Sequence, residues 1–325
     1  MGYRETVILM KLKENTIMAQ ITAKMVAELR AQTGCGMMDC KKALVEADGN
    51  FDEAIKVLRE KGLAKAASKQ SRIASEGIVD IMVDGDVAAM IEVNTETDFV
   101  AKNEKFQEYV KSLLKTVLAN KPADVDALMA CKVVGTEDTV EVTLKEETFK
   151  IGEKLSIRRF LVVEGTLATY IHGKGQMGVI VKFETNVADN EGFAEFAKNI
   201  ALQYAANPCE YVCREEVPQS VLDSELAIIM NQIKEDPKNA KKPENIIEKM
   251  AQGKLGKYFQ EHCLVDQEYV KDDSMSVAAY TASCAKAFGG DIKIVAVYSF
   301  TKGEGLEKRE ENFAEEIAKL TGGNQ

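Results

Sequence analysis

Catalytic chemistry in this chain would have to be built from few side chains: Asp98, His172 and carboxylates scattered over 325 residues. A histidine can act as a base near neutral pH, yet nothing in the pattern supplies a nucleophile or a cofactor. His172 and His262 are the only histidines, which argues against a His-rich catalytic or zinc centre. There is no GxxxxGK loop followed by Ser or Thr, no GxGxxG leading from a strand into a helix, no GxSxG and no HExxH. His172-Gly-Lys-Gly175 has glycines, but turn geometry in a hairpin explains them better than phosphate binding. The seven cysteines (Cys35, Cys40, Cys131, Cys209, Cys213, Cys263 and Cys284) are odd in number and irregularly spaced, which fits a reduced compartment rather than a disulfide framework. Cys209 and Cys213 could share a helix face, but no second pair stands at ligand spacing, so no metal site is expected.

What remains is the stretch Asn94-Thr-Glu-Thr-Asp-Phe-Val100. It follows the apolar run Val87–Val93, which reads as a strand. It precedes a helical pattern with apolar positions at Phe106, Tyr109, Val110, Leu113, Leu114 and Val117. Thr97 or Asp98 can cap that helix, or the turn before it, by accepting from free backbone N–H groups. Phe99 either plugs the local core, where burial of its ring stabilises by about 2–3 kcal/mol, or is presented outward.

An internal repeat bears on that choice. At an offset of 88, Glu76-Gly77 lies over Glu164-Gly165, Gly85 over Gly173, Val93 over Val181 and Glu96-Thr97 over Glu184-Thr185. After a one-residue deletion, Ala101, Asn103, Phe106 and Lys111 lie over Ala188, Asn190, Phe193 and Lys198. Each copy reads as two strands, a turn and an amphipathic helix. A residue that the unit's own core requires should recur in both copies. Asp98-Phe99 does not: Asn186-Val187 stands there instead. The asymmetry favours presentation of Phe99.

Composition bounds the partner. With 46% hydrophobic residues the chain is globular, and 325 residues suffice for two domains or one with additions. No apolar run approaches the ~20 residues of a membrane span. A net charge of −10 is poor for phosphate-backbone binding and fits a protein partner or simple solubility.

In chain order, residues 1–17 read as a disordered or mis-assigned start, since Val7–Met10 is too short for a signal peptide. Three short helices follow over 18–63. Thr22 caps the first, Gly34-Cys-Gly36 breaks it, Asp52 caps the third and Gly62 stops it. Met37 and Met38 after the glycine turn suit a partner surface, or one of them is core. Residues 64–75 read as a linker or loose helix. Pro122–Lys132 reads as a helical connection, and Thr139–Leu144 alternates like a strand, although Glu146–Ile151 could extend a helix. Gly152 marks a turn before the strand Arg159–Val163. The second copy's helix ends at Asn207-Pro208. Two apolar stripes, Leu222, Leu226, Ile229, Met230 and Ile233, then Ile246, Ile247, Met250, Leu255, Tyr258 and Phe259, flank a polar turn. They make an antiparallel hairpin that projects as an arm or packs back on the core. Ser276–Ala287 reads as a helix, Asp291–Phe300 as a strand completing the second sheet, and Phe313, Ile317 and Leu320 as a last amphipathic helix.

From about Met18 onward the sequence resembles bacterial translation elongation factor Ts. The residues that carry the resemblance are Leu29-Arg-Ala-Gln-Thr-Gly34, Gly36-Met-Met-Asp-Cys-Lys-Lys-Ala-Leu44 and above all Thr97-Asp-Phe-Val100, with Ile151-Gly-Glu-Lys154, Ile157-Arg-Arg159 and His172-Gly173. The resemblance implies a cytoplasmic guanine-nucleotide exchange factor for the GTPase elongation factor Tu, without bond-making chemistry and without a cofactor or metal of its own. It implies that Asp98 and Phe99, within Thr97–Val100, enter the GTPase near its magnesium site. Further contacts fall on Arg30, Met37 and Met38 and on Ile151, Gly152 and His172. The complex would be a heterodimer, or a higher assembly built from it, with no direct nucleic acid and no membrane. The family usually begins near Met18, so residues 1–17 are extra. The expected fold is α+β: a UBA-like three-helix module (18–63), a linker (64–75), core subdomain 1 (76–163), core subdomain 2 (164–213 with 265–303), a coiled-coil hairpin arm (214–264) and a C-terminal helical module (304–325), the core being a duplicated αβ unit with small antiparallel sheets. The rival reading is an adaptor whose helical module binds unrelated helices without effect on nucleotide.

Overall fold

Thr22 opens the first helix by accepting the Met25 N–H at 3.2 Å. The structure, a computed structural model, describes residues 21–307 apart from 237 and 239–241, and apart from the side chains of 63–65 and 67. Residues 1–17 and the apolar pattern of Phe313, Ile317 and Leu320 lie outside the described residues. Helices α1 (Ala23–Thr33), α2 (Met37–Glu46) and α3 (Phe51–Ser68) enclose a small core that includes Val26, Leu29, Cys40, Leu44, Ala54 and Leu58. Two expectations are corrected here. The cap of α3 is Asn50, which accepts the Glu53 N–H at 3.1 Å, and not Asp52. Gly62 does not stop α3, because its place is set by packing: a Cβ there would lie 3.0 Å from the Phe149 ring. Ala54 and Leu58 of α3 are buried, whereas Ile55 is exposed.

Strands β1 (Glu76–Asp84) and β2 (Val87–Thr95) follow, then the short helix α4 (Asp98–Ala101) and α5 (Glu104–Asn120). Helix α5 buries the expected stripe from Phe106 to Val117, each large side chain contributing about 2 kcal/mol. Its cap is Asn103, which accepts the Lys105 N–H at 2.9 Å, whereas Thr97 stands at the N-cap of α4, the turn before it, without a side-chain capping bond. Helices α6 (Val125–Ala130) and α7 (Val140–Ile151) come next. Val140–Leu144 is therefore helical and not a strand. Thr139 caps α7 at the Val142 N–H (3.4 Å), and Val140, Leu144 and Thr148, at i, i+4 and i+8, are its buried residues.

Strand β3 (Ser156–Glu164) completes a sheet of order β1-β2-β3. The second copy gives β4 (Thr166–His172), β5 (Met177–Thr185) and helix α8 (Phe193–Ala206). Next come α9 (Gln219–Glu235), α10 (Glu244–His262), the two-stranded β6 (Glu268–Tyr269) and β7 (Asp272–Ser276), α11 (Val277–Phe288) and β8 (Ile292–Thr301). Strand β8 closes an antiparallel sheet of order β4-β5-β8, as expected, with Ala168 opposite Val181 and Val181 opposite Val297. The repeat extends to backbone angles. Gly77 and Gly165 have φ of 123° and 128°, and Gly85 and Gly173 have 60° and 59°, values that L side chains rarely adopt. Helices α9 and α10 pair through Ile233, Ile247 and Ala251, with Leu226, Ile229 and Met230 against them. Ile246 is exposed.

Among the described residues, two compact units divide the chain. One holds 21–78, 91–160 and 302–307, the other 79–90 and 161–301. In the second, Val79, Ala88, Met90 and Val163 of the first sheet pack with Ile180 and Phe300 of the second. Gly178 allows that approach. A Cβ there would stand 2.7 Å from Val79 Cγ1 and 2.8 Å from Met90 Sδ. Gly178→Ala is expected to destabilise the protein by about 1–3 kcal/mol through overpacking, which a denaturant titration would read. On the outer side of the second sheet, α8 packs Phe193, Phe196 and Ile200 against Val181 and Phe183. No described helix is long and apolar enough to cross a membrane.

Candidate functional site

Strand β2 ends in buried polar residues. Asn94 donates to the Glu76 carbonyl (3.0 Å), and the Thr95 hydroxyl donates to the Thr97 carbonyl (2.7 Å). The chain then turns into α4, a single turn closed by the Lys102 N–H to the Asp98 carbonyl at 3.1 Å. Ala101 points inward and is buried, Val100 is half-buried, and Phe99 is 80% exposed. So exposed, the Phe99 ring contributes little to packing within the chain itself. Asp98 pairs with Lys102 at 2.5 Å, and this hydrogen bond, aided by the charge of Lys102 and of Lys302, holds its carboxyl below the usual carboxylate range. The site therefore offers an ionised carboxylate beside an exposed ring.

The loop is braced from the turn after α7. Glu153 accepts the Thr97 N–H (2.9 Å) and the Thr97 hydroxyl (2.7 Å). Glu96 in return accepts the Lys154 N–H at 2.6 Å. Arg72 holds Glu96 at 3.2 Å, and Lys154 Nζ donates to the carbonyls of Gln70 (2.6 Å) and Arg72 (2.9 Å). This brings Ile151 and Gly152, the end of α7, next to the residues that hold Thr97. Gly152 is exposed, with φ of 87°, and its N–H closes α7 on the Thr148 carbonyl at 3.1 Å. The other side of α7 meets the helical module: Phe149 packs on that module's core, and Lys150 lies beside Gly34. Around that turn Arg30 is exposed, as are Met37 and Met38 at 55% and 63%.

His172 belongs to the other unit. It is exposed at the end of β4, its Nδ1 3.3 Å from the Tyr170 hydroxyl, and the turn Gly173–Gln176 that follows is a hairpin, as its glycines suggested. Glu96, Glu153 and Arg72 were missed in sequence. Glu153 sits inside a motif that was noticed, but its partner lies 56 residues away, and no local spacing signals such a pair.

Among the described residues no group of three or more His, Cys, Asp or Glu could hold a metal ion. Cys209 and Cys213 do not share a helix, because α8 ends at Ala206 ahead of Pro208. Burial pushes the Cys209 thiol up to about 12 and Cys263 up to about 11, which leaves both poor nucleophiles.

What the fold and site define is a scaffold that presents a braced acidic-aromatic pair, and comparison with known proteins places the chain among the translation elongation factors. A family model for elongation factor Ts matches residues 96–304. Elongation factor Ts of Clostridioides difficile is 48% identical over 306 residues, 93% of this chain and 99% of that protein. The elongation factor Ts of Syntrophotalea carbinolica is 44% identical over 305 residues, again 93% and 99% of the two chains. That of Clostridium kluyveri is 45% identical over 305 residues, 92% and 98%. The chain belongs to the elongation factor Ts family.

Proposed function

We propose that this chain is the guanine-nucleotide exchange factor for elongation factor Tu, and that it works by inserting Asp98-Phe99 near the magnesium site of that GTPase. The observation that carries the reading is Phe99, 80% exposed on a turn held from both ends, in a member of this family. The UBA-like helical module, through Arg30, Met37 and Met38, docks on the GTPase. Ile151, Gly152 and His172 add contacts, and the helical hairpin and the C-terminal segment are separate modules of the same binder. The chain makes and breaks no bonds and holds neither nucleotide nor metal. It acts in the cytoplasm as a heterodimer with the GTPase.

The physics is linkage. Factor and GDP favour different conformations of the GTPase, so each lowers the other's affinity by the same factor. A ring wedged into the packed GTPase displaces the groups that order its Mg²⁺, and the β-phosphate loses its counter-charge. GDP then leaves faster, and abundant GTP rebinds and expels the factor. The test is release of fluorescent GDP from purified elongation factor Tu at fixed Mg²⁺, with and without this chain. Acceleration at sub-stoichiometric amounts supports exchange. A stable complex without acceleration favours an adaptor and sinks the wedge mechanism.

A further inference from the structure

We propose that Glu153 and Glu96 are positioning residues for Phe99, forming a reciprocal clasp that holds the ring in the pose exchange requires; the inference rests on the exchange reading above. Each carboxylate takes the backbone N–H of the residue that follows the other: Glu153 that of Thr97 at 2.9 Å, and Glu96 that of Lys154 at 2.6 Å. The two loops are thus tied at two adjacent points, which fixes an angle as well as a distance. Charge-assisted bonds of this kind are the stronger class of hydrogen bond.

Helix α4 needs an outside brace. It has four residues, and of its large side chains Phe99 faces solvent. The Asp98–Lys102 pair is part-exposed and contributes little to rigidity. Thr97 stands at the N-cap position, yet its hydroxyl makes no capping bond to α4 and goes to Glu153 at 2.7 Å. A group well placed to stabilise the helix locally is committed to orienting it instead.

The second copy supplies the contrast. Glu184-Thr185 matches Glu96-Thr97, but Glu184 is exposed and the Thr185 hydroxyl donates to the Asp291 carbonyl at 2.7 Å. The same residue pair is present in both copies, and the clasp accompanies only the copy that carries Phe99.

The experiment measures stimulated release of fluorescent GDP from elongation factor Tu by Glu153→Gln, Glu153→Ala, Glu96→Gln and the double variant Glu96→Gln/Glu153→Gln. Each is titrated to saturation, and amide hydrogen exchange is followed at Thr97 and Lys154 in the chain alone. Expected are a maximal rate lowered about tenfold or more, as small misplacements of a working group cause, and an unchanged half-saturating concentration. Both amides lose protection, the melting temperature holds, and the double variant is no worse than the more damaged single one, as for two parts of one unit. Because its amide still offers one acceptor, Glu153→Gln retains more activity than Glu153→Ala. Amides that stay protected, a maximal rate that stays normal, or a loss confined to half-saturation would each overturn the clasp. If wild-type chain does not accelerate release, the exchange reading falls and the proposal with it. Normal wild-type acceleration with unaffected variants removes the clasp alone.

Discussion

Phe99→Ala is expected to abolish most of the stimulated GDP release while leaving the melting temperature where it is. The two halves of that expectation have separate grounds. The ring is 80% exposed, so truncation removes little buried surface from the chain itself. Surface changes of this kind stay within about 0.5 kcal/mol, and Ala is the better helix former in the turn of α4. Against a partner the balance reverses. Burial of the whole ring on binding is worth about 2–3 kcal/mol, which corresponds to a loss of roughly 30-fold to 140-fold in the exchange-competent complex. Measured side by side, stimulated release and thermal unfolding of wild type and variant separate these contributions. Equal release rates would end the wedge mechanism, and a large fall in melting temperature would return Phe99 to the core. Val187 provides the control. It stands in the matching place of the second copy, but there it packs against the turn at Gly290, whose added Cβ would lie 2.4 Å from Val187 Cγ1. Asn186 is likewise engaged, accepting the Asp291 N–H at 2.8 Å. The second copy consumes internally the position that the first copy leaves open.

That contrast is why the sequence alone singles out Phe99. Duplication provides an internal control: what both copies keep, such as Gly85 and Gly173 or Phe106 and Phe193, serves the unit, and what one copy alone carries is available for something else. Long periodic elements were legible because an apolar stripe recurring every 3.6 residues arises from a helix with one buried face, as in α5 and the paired helices α9 and α10. The errors fell where the local signal was ambiguous or the cause was distant. Thr139-Val-Glu-Val-Thr-Leu144 alternates like a strand, but the stripe that matters is Val140, Leu144 and Thr148, which becomes visible only when the segment is read onward to Ile151. Gly62 looked like a stop signal because a glycine in a helix costs about 1 kcal/mol. Its reason is Phe149, 87 residues later, whose ring a Cβ would crowd at 3.0 Å. The brace of the candidate site was invisible for the same reason. Glu153 and Glu96 are ordinary surface residues in sequence and become a clasp only when two loops meet.

Glu92 was equally silent in sequence, and the largest stability effect is expected there. Glu92→Gln should destabilise the folded chain at pH 7 by about 3 kcal/mol, the scale for breaking a buried, hydrogen-bonded ion pair. The carboxylate lies on β2 with no exposed surface. It accepts from Arg159 Nε (2.7 Å), Arg158 Nη1 (3.1 Å), Asn94 Nδ2 (3.1 Å) and the Gly303 N–H (2.8 Å). Arg159 continues to Glu304 at 3.0 Å, and Arg158 donates to the Glu304 carbonyl, so the carboxylate also ties down the segment that follows β8. Burial by itself would raise the pKa of Glu92. The Gly303 N–H, Asn94 and the two guanidinium groups outweigh burial and bring the carboxyl below its usual range. A depressed folded-state pKa means that its contribution is complete above the unfolded value of about 4.3. It is lost as pH falls through the lower folded value, where the native state must take up the proton. The gap between wild type and Glu92→Gln should therefore be widest at neutral pH, begin to close below pH ~4 and shrink further toward pH ~3. The glutamine keeps one acceptor and nearly the same shape, so the closing part of the gap reports the charge and the part that persists in acid reports geometry. Denaturant midpoints for both chains at pH 7, 4 and 3 would decide the matter. A gap that stays constant across that range would assign the worth of Glu92 to its shape and hydrogen bonds, leaving the two arginines satisfied by water, to which each is about one-quarter exposed.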